Sequence, residues 1–409
     1  MKLFIPTLAL AATLFAACGR NNSADRKMLS NDIARCTAQL TRQTDIIEAS
    51  GEVLIPRTAD SRGEIEYVPI DDWTSGFFAG CVWYEYRLTG QPKWLPLAEK
   101  YTVHLDSVKY LSWHHDVGFM IGASYLTGYR TTGDSRYRDV IVEAARSLST
   151  RFRPVAGIIQ SWNVDRGWQS QRGWECPVII DNMMNLELLF EASLFSGDDS
   201  FRRIAVSHAD RTLENHFRPD GSSYHVVDYS LADGTVRRRC TAQGYADSSA
   251  WARGQAWALY GYTMCYRYTR DSRYLAQAEK VYDFIFSNPD LPADVVPYWD
   301  FDAPDKPTAP RDASAAACIA SALYELSLYS SRNDYAASAD RILRSLSSPA
   351  YLAAEGSNGN FILMHSVGSI PHGQEIDVPL NYADYYFMEA MWRKEQILNG
   401  KSFLPEGER

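Results

Sequence analysis

Carboxylates, histidines and an arginine recur beside tryptophan at several separate points of the chain. Asp116 follows a tryptophan and two histidines, Asp181 follows Trp174, and Arg253 follows Trp251. Aromatic faces pack on sugar rings, and planar polar groups recognise sugar hydroxyls. Two carboxylates in different environments can divide acid and base roles between them. These residue types therefore predict a carbohydrate site, provided that the fold brings the segments together.

Each of these residues also has a purely structural interpretation. An aspartate at the start of a helix is commonly an N-cap that contributes about 1 kcal/mol, and this interpretation is favoured for Asp116, Asp181 or Asp312 taken alone. A single tryptophan such as Trp73 or Trp257 is more often part of the core. The functional interpretation therefore depends on the convergence of several such residues at one opening.

A repeated turn indicates the architecture that would bring them together. The turn at residues 132–137, Thr-Gly-Asp-Ser-Arg-Tyr, has close counterparts at four other places. Its glycine suits the left-handed end of one helix, and its aspartate suits the N-cap of the next. The helices after the turns carry one apolar stripe, whereas those before the turns are apolar on nearly every face and must be covered all round. The pattern predicts an all-α fold, an (α/α)6 barrel of six helical hairpins.

The direction of the helices gives this barrel a functional end. An outer helix is predicted over 31–48, and the inner helices over 75–87, 116–129, 181–195, 253–268, 312–329 and 379–392. All inner helices run from the same end towards the turns, so their first residues and the loops before them gather at one mouth. Binding residues usually collect on such loops, and the mouth is where the acidic and aromatic segments are expected to meet.

The first residues resemble an export signal rather than part of the fold. Lys2 precedes an apolar run over 3–17 that is too short to span a bilayer comfortably. Small residues before Cys18 favour a lipoprotein signal over 1–17 with Cys18 lipidated, and a secretory signal cut near Ala17 is the alternative. Both interpretations export the protein, to the periplasm or to a membrane anchor. Residues 18–30 would then be a linker and 31–409 a single barrel domain.

Charge and cysteine content exclude several other classes. The formal net charge of −9 argues against nucleic acid as a partner, because phosphates require a basic face. The six cysteines after Cys18 form no Cys-x-x-Cys pair and no cluster at zinc spacing. We therefore predict that the protein uses no metal and no cofactor and has no obligatory disulfide. The lipid anchor is its only predicted contact with a membrane.

Six motifs at the predicted mouth together resemble one enzyme family. They are WTSGFF at 73–78, HDVGFM at 115–120, DNMMN at 181–185, RPDGSSYH at 218–225, QGYAD at 243–247 and WARGQAW at 251–257. The chain, from about Trp73 to Trp392, resembles the unsaturated glucuronyl hydrolases of glycoside hydrolase family 88. The resemblance implies a six-hairpin α/α barrel, in agreement with the repeats.

The resemblance also implies roles for individual residues. Asp181 corresponds to the general acid/base of the family, and Asp116 to the carboxylate that supports it. The polar residues implied to hold the sugar are His115, His225, Gln243 and Arg253. The residues implied to form aromatic walls are Trp73, Phe77, Trp162, Trp251 and Trp257.

The implied substrate is the 4,5-unsaturated uronic acid that lyases leave at the non-reducing end of glycosaminoglycan oligosaccharides. Its C4=C5 bond adjoins the ring oxygen, so protonation at C4 leaves a cation shared by C5 and that oxygen. Water adds at C5, and the hemiketal opens with loss of the glycosidic bond. Asp181 must therefore hold a proton near neutral pH, and we expect burial and the charge of Asp116 to raise its pKa. We expect Arg253, supported by Gln243, to hold the sugar carboxylate.

Two other functions and the substrate detail stay open. An unsaturated rhamnogalacturonyl hydrolase of pectin breakdown would share the fold and chemistry, and a non-catalytic glycan-binding lipoprotein would use the same mouth. Some relatives that prefer sulfated disaccharides carry Ser-x-x-Ser-x-Lys, where this chain has Ser366, Ser369 and Pro371. Both serines are candidate sulfate or second-sugar contacts, and fragments of chondroitin, hyaluronan and heparin are all candidate substrates.

Overall fold

A computed structural model describes residues 8–332 and 334–404, with side chains from residue 22 onward. Its described residues form twelve helices in inner and outer positions. We treat Val117–Ile121, the π-helical segment Gly122–Leu126 and Thr127–Thr132 as one helix, α4. The outer helices are α1 (Leu8–Ser50), α3 (Trp94–Val103), α5 (Arg136–Ser149), α7 (Asp199–Asn215), α9 (Ser272–Ser287) and α11 (Asp334–Leu346). With α4, the inner helices are α2 (Ser75–Thr89), α6 (Asn182–Ser196), α8 (Ala252–Thr269), α10 (Ala313–Leu326) and α12 (Asn381–Leu398).

The inner helices form a closed ring. Each inner helix contacts the next one along the chain, and α12 contacts α2 to complete the circle. Outer helices pack against the inner helices from outside, and α1 lies against both α12 and α2. One hydrophobic cluster joins both layers around the ring. The predicted (α/α)6 barrel is confirmed.

The repeated turns have the predicted backbone. Gly90, Gly133 and Gly197 end α2, α4 and α6 in the left-handed conformation, with φ of 65°, 73° and 72°. In the fourth turn, Arg270 takes this position with φ of 56°. The Asp271 side chain then accepts the backbone N–H of Arg273 and caps α9. The turn therefore keeps its geometry even where the glycine is replaced.

The N-terminal linker that we predicted over residues 18–30 is wrong. Helix α1 covers this segment, and buried Asp25 pairs with Lys394 at 2.9 Å and with Arg344 at 3.2 Å. The polar residues looked like a solvated linker, but their charges are matched by partners on the barrel. The packed domain therefore begins before residue 31.

The predicted export signal lies largely beyond what the structure describes. Residues 1–7 and the side chains of residues 8–21, Cys18 among them, are outside the described part of the chain. Over the residues that can be searched, no helix combines the length and apolar character required to cross a bilayer. The lipoprotein prediction stays a prediction.

Short strands shape the loops that lead into the inner helices. They are β1 (Pro56–Ala59), β2 (Ile65–Tyr67), β3 (Phe152–Arg153), β4 (Ile158–Ile159), β5 (Cys176–Ile179), β6 (Val226–Tyr229), β7 (Val236–Cys240), β8 (Ser366–Ser369) and β9 (Gln374–Val378). Strands β5, β6 and β7 form one antiparallel sheet, and β8 and β9 form a hairpin. Strand β5 leads directly into α6 and so positions Asp181. The β8–β9 hairpin leads into α12 from the same side.

Candidate active site

A cavity of about 310 Å³ opens at the predicted mouth, where the inner helices begin. This volume is at the lower end of the range for small-molecule sites, roughly 300–1,000 Å³. Seven residues that we singled out from the sequence line it: Trp73, Asp116, Trp162, Asp181, Gln243, Arg253 and Ser369. The structure therefore brings together both aspartates, which lie far apart in the sequence.

Asp181 lies at the start of α6 but does not cap it. Its side chain makes no hydrogen bond to the helix N-terminus, and its buried Oδ2 has no hydrogen-bond partner. Burial raises the pKa of Asp181 from 3.8 to about 7, against the opposing effects of the positive charge of Arg253 and of the nearby Trp257 side chain. By contrast, Asp312 accepts the backbone N–H groups of Ser314 and Ala315. The N-cap interpretation therefore holds for Asp312 and fails for Asp181.

His225 presents a proton to Asp181. Its Nδ1 accepts the backbone N–H groups of Ala242 at 3.0 Å and Gln243 at 3.2 Å. Burial lowers the pKa of His225, so the ring is neutral and carries its proton on Nε2. That Nε2 lies 3.7 Å from Asp181 Oδ2. A donor therefore faces the carboxyl group without yet forming a direct hydrogen bond.

The opposite arrangement holds for His115 and Asp116. The Asn182 amide nitrogen donates to the carbonyl of Ile159 at 2.7 Å, which leaves Asn182 Oδ1 facing His115 Nδ1 at 3.2 Å. His115 must therefore donate from Nδ1, and burial lowers its pKa so that Nε2 is unprotonated. That bare nitrogen lies 3.2 Å from Asp116 Oδ2. A proton on Asp116 turns this contact into a hydrogen bond.

The protonation of Asp116 agrees with its surroundings. Its side chain does not cap α4, and its Oδ1 accepts a hydrogen bond from Asn185 Nδ2 at 3.3 Å. Burial and then the charge of Asp181 raise the pKa of Asp116 well above its ordinary value. One cavity therefore holds two carboxyl groups that both retain protons towards neutral pH.

A raised pKa by itself does not identify a reactive carboxyl group in this fold. Burial also raises the pKa of Asp384 to about 7. Both oxygens of Asp384, however, accept backbone N–H groups, from Ile362 at 2.9 Å and from Leu363 at 2.8 Å. Asp384 holds a loop, whereas Asp181 has an unpartnered oxygen in a cavity.

Arg253 is largely occupied by protein contacts. Its Nη1 donates to Asp312 at 3.3 Å and to the carbonyl of Val367, and its Nη2 donates to the carbonyl of Gly368 at 2.7 Å. The guanidinium also lies over the Trp251 ring at 4.4 Å, and its buried Nε has no hydrogen-bond partner. Arg253 thus anchors β8 at the cavity and supplies positive charge there, with Nε and the second N–H of Nη2 left to donate.

Three of the predicted aromatic wall residues lie behind the wall. Trp73 and Trp162 line the cavity, whereas Phe77, Trp251 and Trp257 are buried in a second layer. Phe77 packs edge-on against Trp73 at 5.9 Å, and Trp251 packs against His225 at 4.8 Å. None of these three is among the lining residues, because helical spacing does not distinguish a wall from the residues that support it, and their contact with the sugar stays a prediction.

Three predicted polar contacts also lie outside the cavity lining. His115 and His225 are buried behind the aspartates, and Ser366 is buried on β8 with an unpartnered hydroxyl. Ser369 does line the cavity, where its Oγ lies 2.7 Å from Nδ1 of His372. Ser366 is therefore not among the lining residues, and its contact with a sulfate or second sugar stays a prediction. His372 supplies a ring nitrogen next to Pro371, which stands in place of a basic residue.

The sequence analysis missed ten lining residues. They are Arg57, Phe119, Trp168, Gln169, Ile179, Gly368, His372, Gln374, Glu375 and Tyr382. Phe119 and Tyr382 lie in first turns of inner helices, so the mouth argument could have found them. The others lie in short strands, loops or single 3-10 turns, where no periodicity marks them. Among these, Arg57 binds Glu375 through two nitrogens at 2.6 and 2.9 Å and Asp72 at 2.7 Å.

Comparison with known proteins identifies the family of the chain. Residues 53–399 match Glycosyl Hydrolase Family 88. An unsaturated glucuronyl hydrolase of Formosa agariphila is 46% identical over 346 residues, which cover 84% of this chain and 85% of that protein. An unsaturated chondroitin disaccharide hydrolase of Streptococcus agalactiae is 32% identical over 330 residues, covering 79% and 81%.

Solved structures show the same relationship. The crystal structure of an unsaturated glucuronyl hydrolase specific for heparin is similar with a TM-score of 0.85 and 44% identity, over 91% of this chain and 98% of that one. The unsaturated glucuronyl hydrolase of Bacillus sp. GL1 is similar with a TM-score of 0.80 and 28% identity, over 91% and 97%. Sequence family and fold agree: the chain belongs to glycoside hydrolase family 88 and is an enzyme of the unsaturated glucuronyl hydrolase type.

Proposed function

We propose that the protein removes the 4,5-unsaturated uronic acid from the non-reducing end of glycosaminoglycan oligosaccharides by hydrating the C4=C5 bond, with Asp181 as general acid/base. The observation that carries the proposal is the buried Asp181 carboxyl group, which has a pKa of about 7 and an unpartnered Oδ2 in an aromatic-walled cavity. Relatives named for chondroitin disaccharides and for heparin support a glycosaminoglycan substrate.

The first chemical step is a proton transfer from Asp181 to C4. The positive charge that forms is shared by C5 and the ring oxygen, and the new Asp181 carboxylate stabilises it. Asp181 then accepts a proton from the water that adds at C5, which regenerates the acid. A neutral Asp116, whose Oδ2 lies 3.2 Å from Nε2 of His115, avoids a second negative charge beside Asp181.

The substrate carboxylate requires positive charge on the other side of the cavity. Arg253 contributes its charge and its unpartnered Nε, and Gln243 contributes an amide at the cavity lining. Arg57 adds a second cation, although Glu375 and Asp72 already bind it. We propose that Arg253 acts mainly through its charge and through the position of β8, since two of its nitrogens are engaged by protein oxygens.

The test is the ultraviolet absorbance of the substrate double bond. The protein should abolish the absorbance of a lyase-generated disaccharide and leave the corresponding saturated disaccharide intact. Asp181→Asn should lose activity, whereas Asp198→Asn, a change at an exposed cap of α7, should not. Cleavage of the saturated disaccharide alone would reject hydration, and strong residual activity of Asp181→Asn would move the acid/base elsewhere.

A substrate panel tests the glycosaminoglycan assignment against pectin. Lyase products of chondroitin, hyaluronan and heparin should be hydrolysed faster than unsaturated rhamnogalacturonan fragments, and the reverse order would favour the pectin alternative. Sulfated and unsulfated disaccharides should be compared at several pH values. His372 beside Ser369 should favour sulfated ones only where the imidazole is protonated, and burial lowers its pKa.

We propose further that the protein is exported and held at a membrane by lipid on Cys18. The support is the charged start, the short apolar run and the small residues before the cysteine. Fractionation of cells that express the full chain tests this: the parent should sediment with membranes and Cys18→Ala should not. Equal distribution of both proteins in the soluble exported fraction would instead favour an ordinary secretory signal.

A further inference from the structure

A row of tryptophans and arginines leads from the cavity to the protein surface. Trp168 lines the cavity and lies 4.8 Å from the His372 ring. The Arg172 guanidinium lies over Trp168 at 5.4 Å and over Trp174 at 5.5 Å. Arg238 lies over Trp174 at 5.9 Å and donates a hydrogen bond to the carbonyl of Arg172. The row is therefore continuous, and each cation is held on an aromatic face.

The two arginines at its outer end carry charge that the described part of the chain does not neutralise. Arg172 and Arg238 are exposed, and neither has an ion pair with a described carboxylate. Arg237, which precedes Arg238 on β7, differs because it pairs with Asp228 at 2.6 Å and with Glu175 at 3.5 Å. In a protein of net charge −9, this is a local positive area.

The positive area is electrostatically connected to the cavity. Burial is the largest cause that lowers the pKa of His372, and the positive charge of Arg172 is the second. The Arg172 charge also lowers the pKa of His225. Arg172 therefore lies within electrostatic range of the cavity edge that His372 lines. An anion bound between them would lie on the route by which a longer substrate leaves the cavity past Trp168.

We propose that Arg172 and Arg238 form an anion subsite for the part of the substrate beyond the second sugar, and that it binds a carboxylate or sulfate. The proposal rests on the proposed function. Uronic acids alternate with amino sugars in glycosaminoglycans, so the third residue of a lyase-generated tetrasaccharide carries a carboxylate. A planar guanidinium fixed on a tryptophan face is well suited to such an anion.

The experiment compares substrates of two lengths. The double variant Arg172→Gln/Arg238→Gln should lower kcat/KM for an unsaturated hyaluronan tetrasaccharide about tenfold, as expected for two exposed charge contacts. Its kcat/KM for the unsaturated hyaluronan disaccharide, which ends at the second sugar, should stay within about twofold of the parent. The loss should shrink at high ionic strength, because salt screens exposed charges.

Arg239→Gln is the matched control. Arg239 is exposed on the same strand, but it donates to the carbonyl of Asn215 at 2.7 Å instead of joining the tryptophan row. Equal losses in Arg239→Gln and the double variant would overturn the subsite in favour of a general charge effect. An unchanged tetrasaccharide rate, or equal losses for both substrates, would also overturn it.

Failure of the proposed function has a different signature. In that case the parent would hydrolyse neither oligosaccharide. Binding of the saturated hyaluronan tetrasaccharide, measured by calorimetry, would then decide the subsite on its own: the double variant should bind about tenfold more weakly than the parent and Arg239→Gln equally well. Equal affinity of all three proteins would overturn the proposal.

Discussion

Asp181→Asn should make the protein more stable while it removes activity. The Asp181 side chain is 12% exposed, and the pKa of its carboxyl group rises from 3.8 to about 7 in the folded protein. The folded state therefore loses stability whenever this group must be ionised inside the cavity. Asparagine has nearly the same shape and cannot ionise, so the substitution should relieve that cost.

The sign and the pH window follow from proton linkage. Between about pH 4 and pH 7 the unfolded chain releases the Asp181 proton, whereas the folded protein keeps it. The unfolded state then binds fewer protons, so the free energy of unfolding of the parent falls as pH rises. Above about pH 7 both states are ionised, and the loss reaches its plateau. The advantage of Asp181→Asn should therefore grow through this window and then level off.

The magnitude follows from the same pKa values. The difference between 3.8 and about 7 corresponds to about 4 kcal/mol at ~1.4 kcal/mol for each tenfold change in proton affinity. At pH 5 only part of this cost is present, roughly 2 kcal/mol. With an unfolding entropy of about 2.1 cal/mol/K per residue, a chain of 409 residues gains about 1 °C in Tm per kcal/mol. Asp181→Asn should therefore melt about 4–5 °C above the parent at pH 8 and about 2 °C above it at pH 5.

Thermal unfolding by differential scanning fluorimetry from pH 4.5 to 8.5 measures this difference. Asp198→Asn is the control, because Asp198 is an exposed N-cap whose pKa is lowered by its hydrogen bonds to Ser200, and its Tm difference should stay small at every pH. A lower Tm for Asp181→Asn, or a gap that does not change with pH, would refute the burial argument. It would also remove the main physical support for Asp181 as the acid.

Three further outcomes are expected. The kcat/KM of the parent should fall as pH rises through about 7, because Asp181 loses the proton that it must donate; a profile that stays flat to pH 8.5 would contradict this role. Gly118→Ala places a Cβ 2.5 Å from the Asn185 backbone, so it should reduce kcat at least tenfold and lower the free energy of unfolding by about 1–3 kcal/mol. Gly122→Ala, whose added Cβ has nothing within 4 Å, should be tolerated. Equal behaviour of the two variants in urea unfolding and in kinetics would contradict this expectation. Arg57→Gln leaves Glu375 as an unpaired negative charge at the cavity and should raise KM for an anionic disaccharide about tenfold. The double variant Arg57→Gln/Glu375→Gln should recover part of this loss. No recovery in the double variant would mean that Arg57 contacts the substrate itself.

Several misplaced residues show where sequence patterns stop being informative. Phe77, Trp251 and Trp257 have the composition of a sugar-binding wall, yet they pack behind it. Arg253 has the composition of an anion receptor, yet two of its nitrogens hold β8. Each residue was identified correctly as near the mouth, but its contacts come from other elements of the fold and not from its own helix.

The chain itself determined the barrel. Inner and outer helices differ in how many of their faces are apolar, and the turns between them carry their own capping residues, so both signals are local and can be read without a structure. Local order could not decide which aspartate caps a helix and which carries a reactive proton. Asp312 and Asp181 occupy equivalent positions at inner helix starts, and only packing gives the first two backbone partners and leaves the second buried without a partner for Oδ2. A pKa depends on what surrounds a group in space, and the loops that bring Arg57, Trp168 and His372 to the cavity have no period that would place them.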